Sequence, residues 1–221
     1  IIIPLALILV AIAASGMRNL SMSTNYRVFF SEDNPQLQAF DALERTYTKN
    51  DNLMFVITPA DGNVFSRETL SAIEVMTEKA WQAPFSLRVD SITNFQYTEA
   101  EGDDLIVANL IENAASFSNE DLLRVKTIAL TEPLLVDRLI SKNASVTAVN
   151  ITVQLPGENE ATEAPKVAAF ARNLVQEMLA DYPDLEFRLT GLVMLNNAFP
   201  EASQKDARTL VPLSFLLMLI I

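Results

Sequence analysis

The chain has 221 residues, half of them hydrophobic, and its formal net charge is −12. It contains neither histidine nor cysteine, so thiolate or imidazole catalysis, a Ser-His-Asp triad, a disulfide and a zinc site with the usual ligands are excluded. Nucleic acid is not an expected partner, because phosphate binding needs a clustered basic surface. We therefore predict no enzymatic activity, no cofactor and no metal site.

The charged residues are confined to the middle of the chain. All 16 basic and 28 acidic side chains lie between Arg18 and Arg208, whereas residues 1–17 and 209–221 are uncharged and mostly apolar. We predict that these two ends are parts of two transmembrane helices, cut by the ends of the sequence, and that 18–208 is an acidic extracytoplasmic domain. A small-x-small pattern near the end of the first segment leaves a signal peptide as the alternative there.

The first half of this domain has the pattern of a strand, a helix and a second strand. Residues 53–58 form a short continuous apolar run, typical of a buried strand. Ser66 is a candidate helix N-cap, and apolar residues follow it at helical spacing until Pro84. Residues 85–90 then alternate between apolar and polar side chains, which predicts a second strand.

The second half repeats this order. Residues 145–155 alternate clearly and predict a strand, and a helix follows with Pro165 expected in its first turn. Residues 185–190 predict the last strand. A further helix is expected to begin at about Leu192 and to continue into the second membrane segment.

Two β-α-β units, at about 51–98 and 144–191, predict an α+β fold of the split βαβ, ferredoxin-like type, with an antiparallel sheet and both helices on one face. Residues 99–143 are predicted to form a mainly helical insertion between them. Its expected helices cover 105–110, a stretch that begins after Ser118, and a short segment at 134–140.

Four acidic side chains, Glu99, Glu101, Asp103 and Asp104, lie close together at the start of this insertion. They permit a calcium site, since carboxylate oxygens are the ligands that Ca²⁺ prefers. They lack the alternating spacing of a calcium-binding loop, and the favoured interpretation is a turn at Gly102 with Asp103 or Asp104 capping the next helix.

Three aromatic side chains, Trp81, Phe95 and Tyr97, are the candidate substrate-path residues. An aromatic lining suits a hydrophobic ligand. The favoured interpretation, however, is that these side chains belong to the core, as aromatics at such spacing commonly do.

Three segments resemble the resistance-nodulation-division (RND) superfamily of exporters, and its MMPL-like branch in particular. They are DNPQLQAFDALE at 33–44, VDSITNFQYTEAEGDDLI at 89–106 and the run at 129–155 that contains TEPLLVDRLISKNASVTAVNITV. The likeness extends over essentially the whole chain. It implies that the acidic domain is a porter domain built from a ferredoxin-like unit.

The resemblance also implies proton-driven export of a hydrophobic or amphiphilic substrate, in some members a lipid, across a bacterial inner membrane, with the main domain on the periplasmic or extracytoplasmic side. The expected partners are the bilayer, the remaining transmembrane helices and a second porter loop of the same full-length chain, with a homo-oligomer as a further option. The resemblance implies that the proton-relay residues lie in later transmembrane helices. Both apolar ends lack an ionisable side chain, so they offer no candidate for such a relay. The alternative function is an extracytoplasmic ligand-sensing domain of a two-span receptor.

Overall fold

The computed structural model describes residues 30–31, 33–46, 51–101, 104–157 and 159–220. The predicted first transmembrane segment, residues 1–17, lies outside the described residues. In chain order the elements are α1 (Pro35–Thr46), β1 (Asp51–Pro59), α2 (Arg67–Ala80), β2 (Ser86–Asp90), β3 (Gln96–Glu101), β4 (Asp104–Asn109), a 3₁₀ turn (Ala114–Ser116), α3 (Asn119–Thr131), β5 (Thr147–Val153), α4 (Glu160–Asp181), β6 (Leu185–Thr190) and α5 (Leu192–Ile220).

Four strands form an antiparallel sheet in the order β2-β5-β1-β6. The strands come from two β-α-β units, β1-α2-β2 and β5-α4-β6, and residues 91–146 connect the units. The predicted mixed class with an antiparallel sheet is therefore confirmed. The connection is longer than the predicted insertion at 99–143, because β2 ends at Asp90 and β5 begins only at Thr147.

One face of this sheet is completely covered. Along β1 every second residue is buried, and Leu53, Phe55 and Ile57 are fully inaccessible to solvent. Helices α2 and α4 contact each other and the sheet on this side, and their apolar stripes, which include Met76 and Met178, complete one continuous core. The period of two along the strand and the period of 3.6 along the helices bring these side chains together.

The opposite face, which we call the open face, is different. Asn52, Met54, Val56 and Thr58 of β1 point to this side and are only half-buried. Asn150 of β5 lies directly opposite Met54 and is also half-buried. Amides and hydroxyls on the open face can still form hydrogen bonds with polar partners. A strand can therefore carry polar side chains on this face while its other face packs into the core.

The prediction of a helix over 105–110 is wrong. Residues 104–109 form β4, which pairs with β3 in a separate two-stranded hairpin. Asp104 therefore begins a strand and caps no helix, and Asp103 lies outside the described residues. Tyr97 and Thr98 before the Gly-Asp pair and the Leu-Ile-Val run after it favour strands, and a Gly-Asp pair between two such segments is a sequence signal for a hairpin. The insertion is thus a hairpin followed by one long helix, and not mainly helical.

Two smaller predictions also fail. Residues 134–140 form successive turns with isolated β-bridges at Val136 and Ile140 instead of a short helix, because the Asp137 backbone adopts a left-handed conformation with φ of 61°. Helix α4 begins at Glu160, so Pro165 lies inside the helix and not in its first turn.

The last helix is continuous. Helix α5 has 29 residues and contains Pro200 and Pro212. It includes the predicted second membrane segment, residues 209–221, as far as Ile220. Within the described part of the chain, no helix has the length and apolar character needed to cross a bilayer.

Candidate functional site

A cavity of about 940 Å³ lies on the open face, where the sheet meets the insertion. Its lining combines apolar and polar side chains in similar numbers. The apolar members are Met54, Trp81, Val89, Phe95, Leu134, Leu135 and Leu139, and the polar members are Arg88, Asp90, Ser91, Asn94, Gln96, Asn109, Arg138 and Asn150. This volume falls in the range of pockets that bind small organic ligands.

The sheet supplies the floor of the cavity. Asp90, Asn150 and Met54 face one another across β2, β5 and β1 in one row of the register. The Asn150 side chain is fixed, since its Oδ1 accepts a hydrogen bond from Asn52 Nδ2 at 3.1 Å. Asn52 Oδ1 in turn accepts the backbone N–H of Leu192 at 3.0 Å. A single amide therefore links the floor of the cavity to the first residue of α5.

The first wall is the segment that leaves β2. Thr77 of α2 donates to the Ile73 carbonyl at 2.6 Å, and its hydroxyl lies 2.9 Å from Ser91 Oγ and 3.3 Å from Thr93 Oγ1. All three hydroxyl residues are buried. Asn94 completes this wall by accepting the Ser91 N–H at 2.8 Å. Buried hydroxyls are stable only when they are paired. The network therefore holds the segment that follows β2 against α2.

The second wall is the turn segment before β5. Leu135 and Ile140 anchor it in the core, with exposed fractions of 0% and 2%. Thr147 Oγ1 donates to the Leu139 carbonyl at 2.8 Å, and the Ala148 N–H donates to the same oxygen at 2.9 Å. The segment thus exposes Leu134 while its backbone is tied to β5.

The electrostatics of the lining favour binding over covalent chemistry. Arg88 Nε lies 2.9 Å from Asp90 Oδ2, so the one carboxylate that the described residues contribute to the lining is ion-paired. The remaining polar groups are mainly side-chain amides, which can both donate and accept hydrogen bonds to a polar ligand. Across the described residues, no cluster of acidic side chains has the arrangement needed to hold a metal ion. Glu99, one of the acids considered for calcium, instead forms an ion pair with Arg124 at 3.0 Å.

The three predicted substrate-path residues separate in the structure. Trp81 and Phe95 line the cavity, and Trp81 is half exposed. Tyr97 lies outside the lining and packs against the core. The role of these residues in handling a substrate stays a prediction.

Other members of the lining were not predicted from the sequence. Asn150 gave the clearest signal, since asparagine is unfavourable in the middle of a strand and the other residues of β5 are mostly β-branched. Arg138 and Leu134 gave none, because the segment that carries them was assigned to a helix. Their place on the cavity wall depends on turns that only the folded chain shows.

Comparison with known proteins identifies the family. No curated protein matches the chain. A model of the MMPL family matches residues 29–221, which covers most of the sequence and confirms the resemblance drawn from the three motifs. Members of this family are integral membrane transporters and not enzymes. The chain therefore belongs to the MMPL family and is a domain of a membrane transporter.

Proposed function

We propose that this chain is the extracytoplasmic porter domain of a proton-driven RND-type exporter, with a ferredoxin-like core that handles a hydrophobic or amphiphilic substrate, including lipids. The β-α-β, insertion, β-α-β order supports the ferredoxin-like assignment. The strand order, with β5 and β1 in the centre, supports it as well.

The cavity on the open face is the observation that carries this proposal. Trp81, Phe95 and Leu134 offer apolar surface, while Asn94 and Asn150 offer hydrogen-bonding groups within the same lining. A ligand with an apolar body and a polar head matches both kinds of wall. A purely polar solute would leave the apolar wall in contact with water, which costs about 25 cal/mol for each Å².

Alternating access requires a mechanical connection between the membrane and the cavity. The strand β6 passes directly into α5 at Gly191, whose φ is +109° and which leaves no space for a side chain against Asn52. The Asn52 amide bonds both Leu192 and Asn150. In our proposal, a tilt of α5 moves the sheet as a unit and opens or closes the cavity against a second porter loop of the full-length chain.

This mechanism assigns the remaining partners and the location. The other transmembrane helices supply the proton relay, and the bilayer of the bacterial inner membrane supplies or receives the substrate. The domain lies on the periplasmic or extracytoplasmic side, and a homo-oligomer is compatible with this arrangement. Family membership favours this function over the two-span receptor, since the family consists of transporters.

Efflux of a fluorescent lipid from cells that express the complete gene tests the proposal. Export is expected to stop when a protonophore collapses the gradient. Met54→Trp, which fills the cavity floor, is expected to reduce the export rate about tenfold or more. Thr58→Trp is the matched control, since Thr58 lies on the same face of β1 but outside the lining. Export that is unaffected by the protonophore would contradict proton coupling, and equal rates for the two variants would contradict the role of the cavity.

A further inference from the structure

The cavity lining carries an uncompensated positive charge. Among the residues that the structure describes, its charged members are Arg88, Asp90 and Arg138, and the first two form an ion pair with each other. Arg138 has no ion-pair partner among the described residues, and the neighbouring carboxylate of Asp137 is bound to Lys142 at 2.9 Å. A lone cation in the cavity is notable in a chain whose net charge is −12.

Arg138 also projects from a backbone that is held in place. The Asp137 N–H donates to the Ile140 carbonyl at 2.9 Å, and the Leu139 N–H donates to the Leu135 carbonyl at 2.8 Å. Leu135 and Ile140 are buried. The guanidinium is therefore attached to a fixed point of the wall, and its side chain remains exposed to a ligand. A guanidinium in such a position presents several N–H donors in a fork that matches phosphate or carboxylate oxygens.

We propose that the cavity selects amphiphiles with an anionic head group, and that Arg138 is the residue that recognises this charge. The inference rests on the proposed function, because it specifies the substrate class of the same cavity. The apolar body of the ligand lies against Trp81 and Leu134, while its phosphate or carboxylate group contacts Arg138 and is further bonded by lining amides. Arg138 thus supplies the positive charge that compensates the anionic head group, and binding needs no covalent step.

The fluorescence of Trp81 provides the test, because Trp81 is the only tryptophan of the chain and lines the cavity. The 221-residue chain is titrated, below micelle formation, with amphiphiles that share a twelve-carbon chain and carry a phosphate, a glycerol or a trimethylammonium head. We expect the phosphate head to bind about tenfold more tightly than the glycerol head, and the trimethylammonium head to bind most weakly.

Variants assign this preference to one side chain. Arg138→Gln is expected to abolish the roughly tenfold difference between phosphate and glycerol heads, mainly by weakening the binding of the phosphate head. Arg138→Lys should retain part of the difference, since it keeps the charge but loses the fork. Lys166→Gln removes one positive charge from exposed α4 surface outside the lining and should keep the full preference.

Four outcomes would overturn the inference. A phosphate preference that survives in Arg138→Gln excludes Arg138 as the recognising residue. Inorganic phosphate that changes Trp81 fluorescence as tightly as the dodecyl phosphate identifies a free anion, and not a lipid head group, as the ligand. Equal binding of all three head groups rejects the charge selectivity while leaving the proposed function intact, whereas no response to any amphiphile rejects both.

Discussion

The two faces of the four-stranded sheet show how one set of strands serves stability and function separately. On the covered face, Leu53, Phe55 and Ile57 are fully buried under α2 and α4. On the open face of the same strand, Asn52 and Met54 are half-buried and belong to the cavity floor or its support. Alternate residues of β1 thus either pack in the core or form the cavity floor. The following predictions distinguish these two roles.

The largest difference between the faces is expected in stability. Phe55→Ala removes a fully buried ring from the core and should lower the free energy of unfolding by about 4 kcal/mol. Met54→Ala, one residue away on the open face, should cost roughly 1 kcal/mol, since its side chain is only half-buried. Urea denaturation of both variants measures the contrast. Equal losses would show that the open face is packed as tightly as the core.

The junction between β6 and α5 is the next most sensitive point. A Cβ added at Gly191 would lie 2.5 Å from the Asn52 carbonyl oxygen, in a conformation with φ of +109°. Gly191→Ala should therefore lower the free energy of unfolding by about 3 kcal/mol. Gly157→Ala has open space around the new methyl group and a φ of +77°, so it should cost only about 1 kcal/mol. Urea denaturation compares the two variants. Similar losses of unfolding free energy would show that the close approach of Asn52 to Gly191 does not restrict this position.

The buried hydroxyl network of the first wall should have a smaller effect. Thr77→Val removes the hydroxyl that bonds Ile73, Ser91 and Thr93, and we expect a loss of about 1.5 kcal/mol. Thr127→Val is the matched control, because Thr127 makes the same helical bond to the carbonyl four residues earlier but is exposed. Its thermal unfolding should be nearly unchanged, and a loss as large as that of Thr77→Val would show that the network itself contributes nothing.

The smallest expected effect is a pH dependence at the start of α3. Hydrogen bonds from the Ser118 hydroxyl and N–H hold the pKa of the Asp121 carboxyl below its ordinary value of 3.8. Because the folded pKa is lowered, this stabilisation is complete above the unfolded pKa and is lost as the pH falls through the folded pKa.

An NMR titration measures this effect directly. Ser118→Ala removes the hydroxyl donor, so the pKa of Asp121 should rise towards its ordinary value. The pKa of Glu201, which the Arg172 hydrogen bond lowers, should not change and serves as the internal control. An Asp121 pKa that is the same in both proteins would mean that the hydroxyl contributes nothing to the shift.

The regular elements of the core were predictable because local signals and tertiary packing agree there. The alternation over 145–155 and the Ser66 cap each identified an element correctly, since β5 and α2 lie where these patterns placed them. The hairpin at 96–109 was missed because its exposed apolar residues, Leu105 to Val107, also fit a helix when the Gly-Asp connection is taken as a helix cap.

The cavity was less predictable than the sheet. Trp81 and Phe95 were predicted as substrate-path residues from their chemistry alone. Both line the cavity, and their role in handling a substrate stays a prediction. Arg138 and Asn150 lie close in sequence, but turns and strand pairing determine that both reach the same lining. Such positions depend on long-range register and on a residue with positive φ, and a single sequence gives no periodic signal for either.

The most direct test of the account is whether an apolar chain enters the cavity beside Trp81. Bromine quenches tryptophan only at near contact, so a twelve-carbon alkyl phosphate with a brominated chain can be compared with its unbrominated form. The account predicts saturable quenching of Trp81 by the brominated form alone, at concentrations below micelle formation. Quenching that rises linearly, and equally for free N-acetyltryptophanamide, would contradict it.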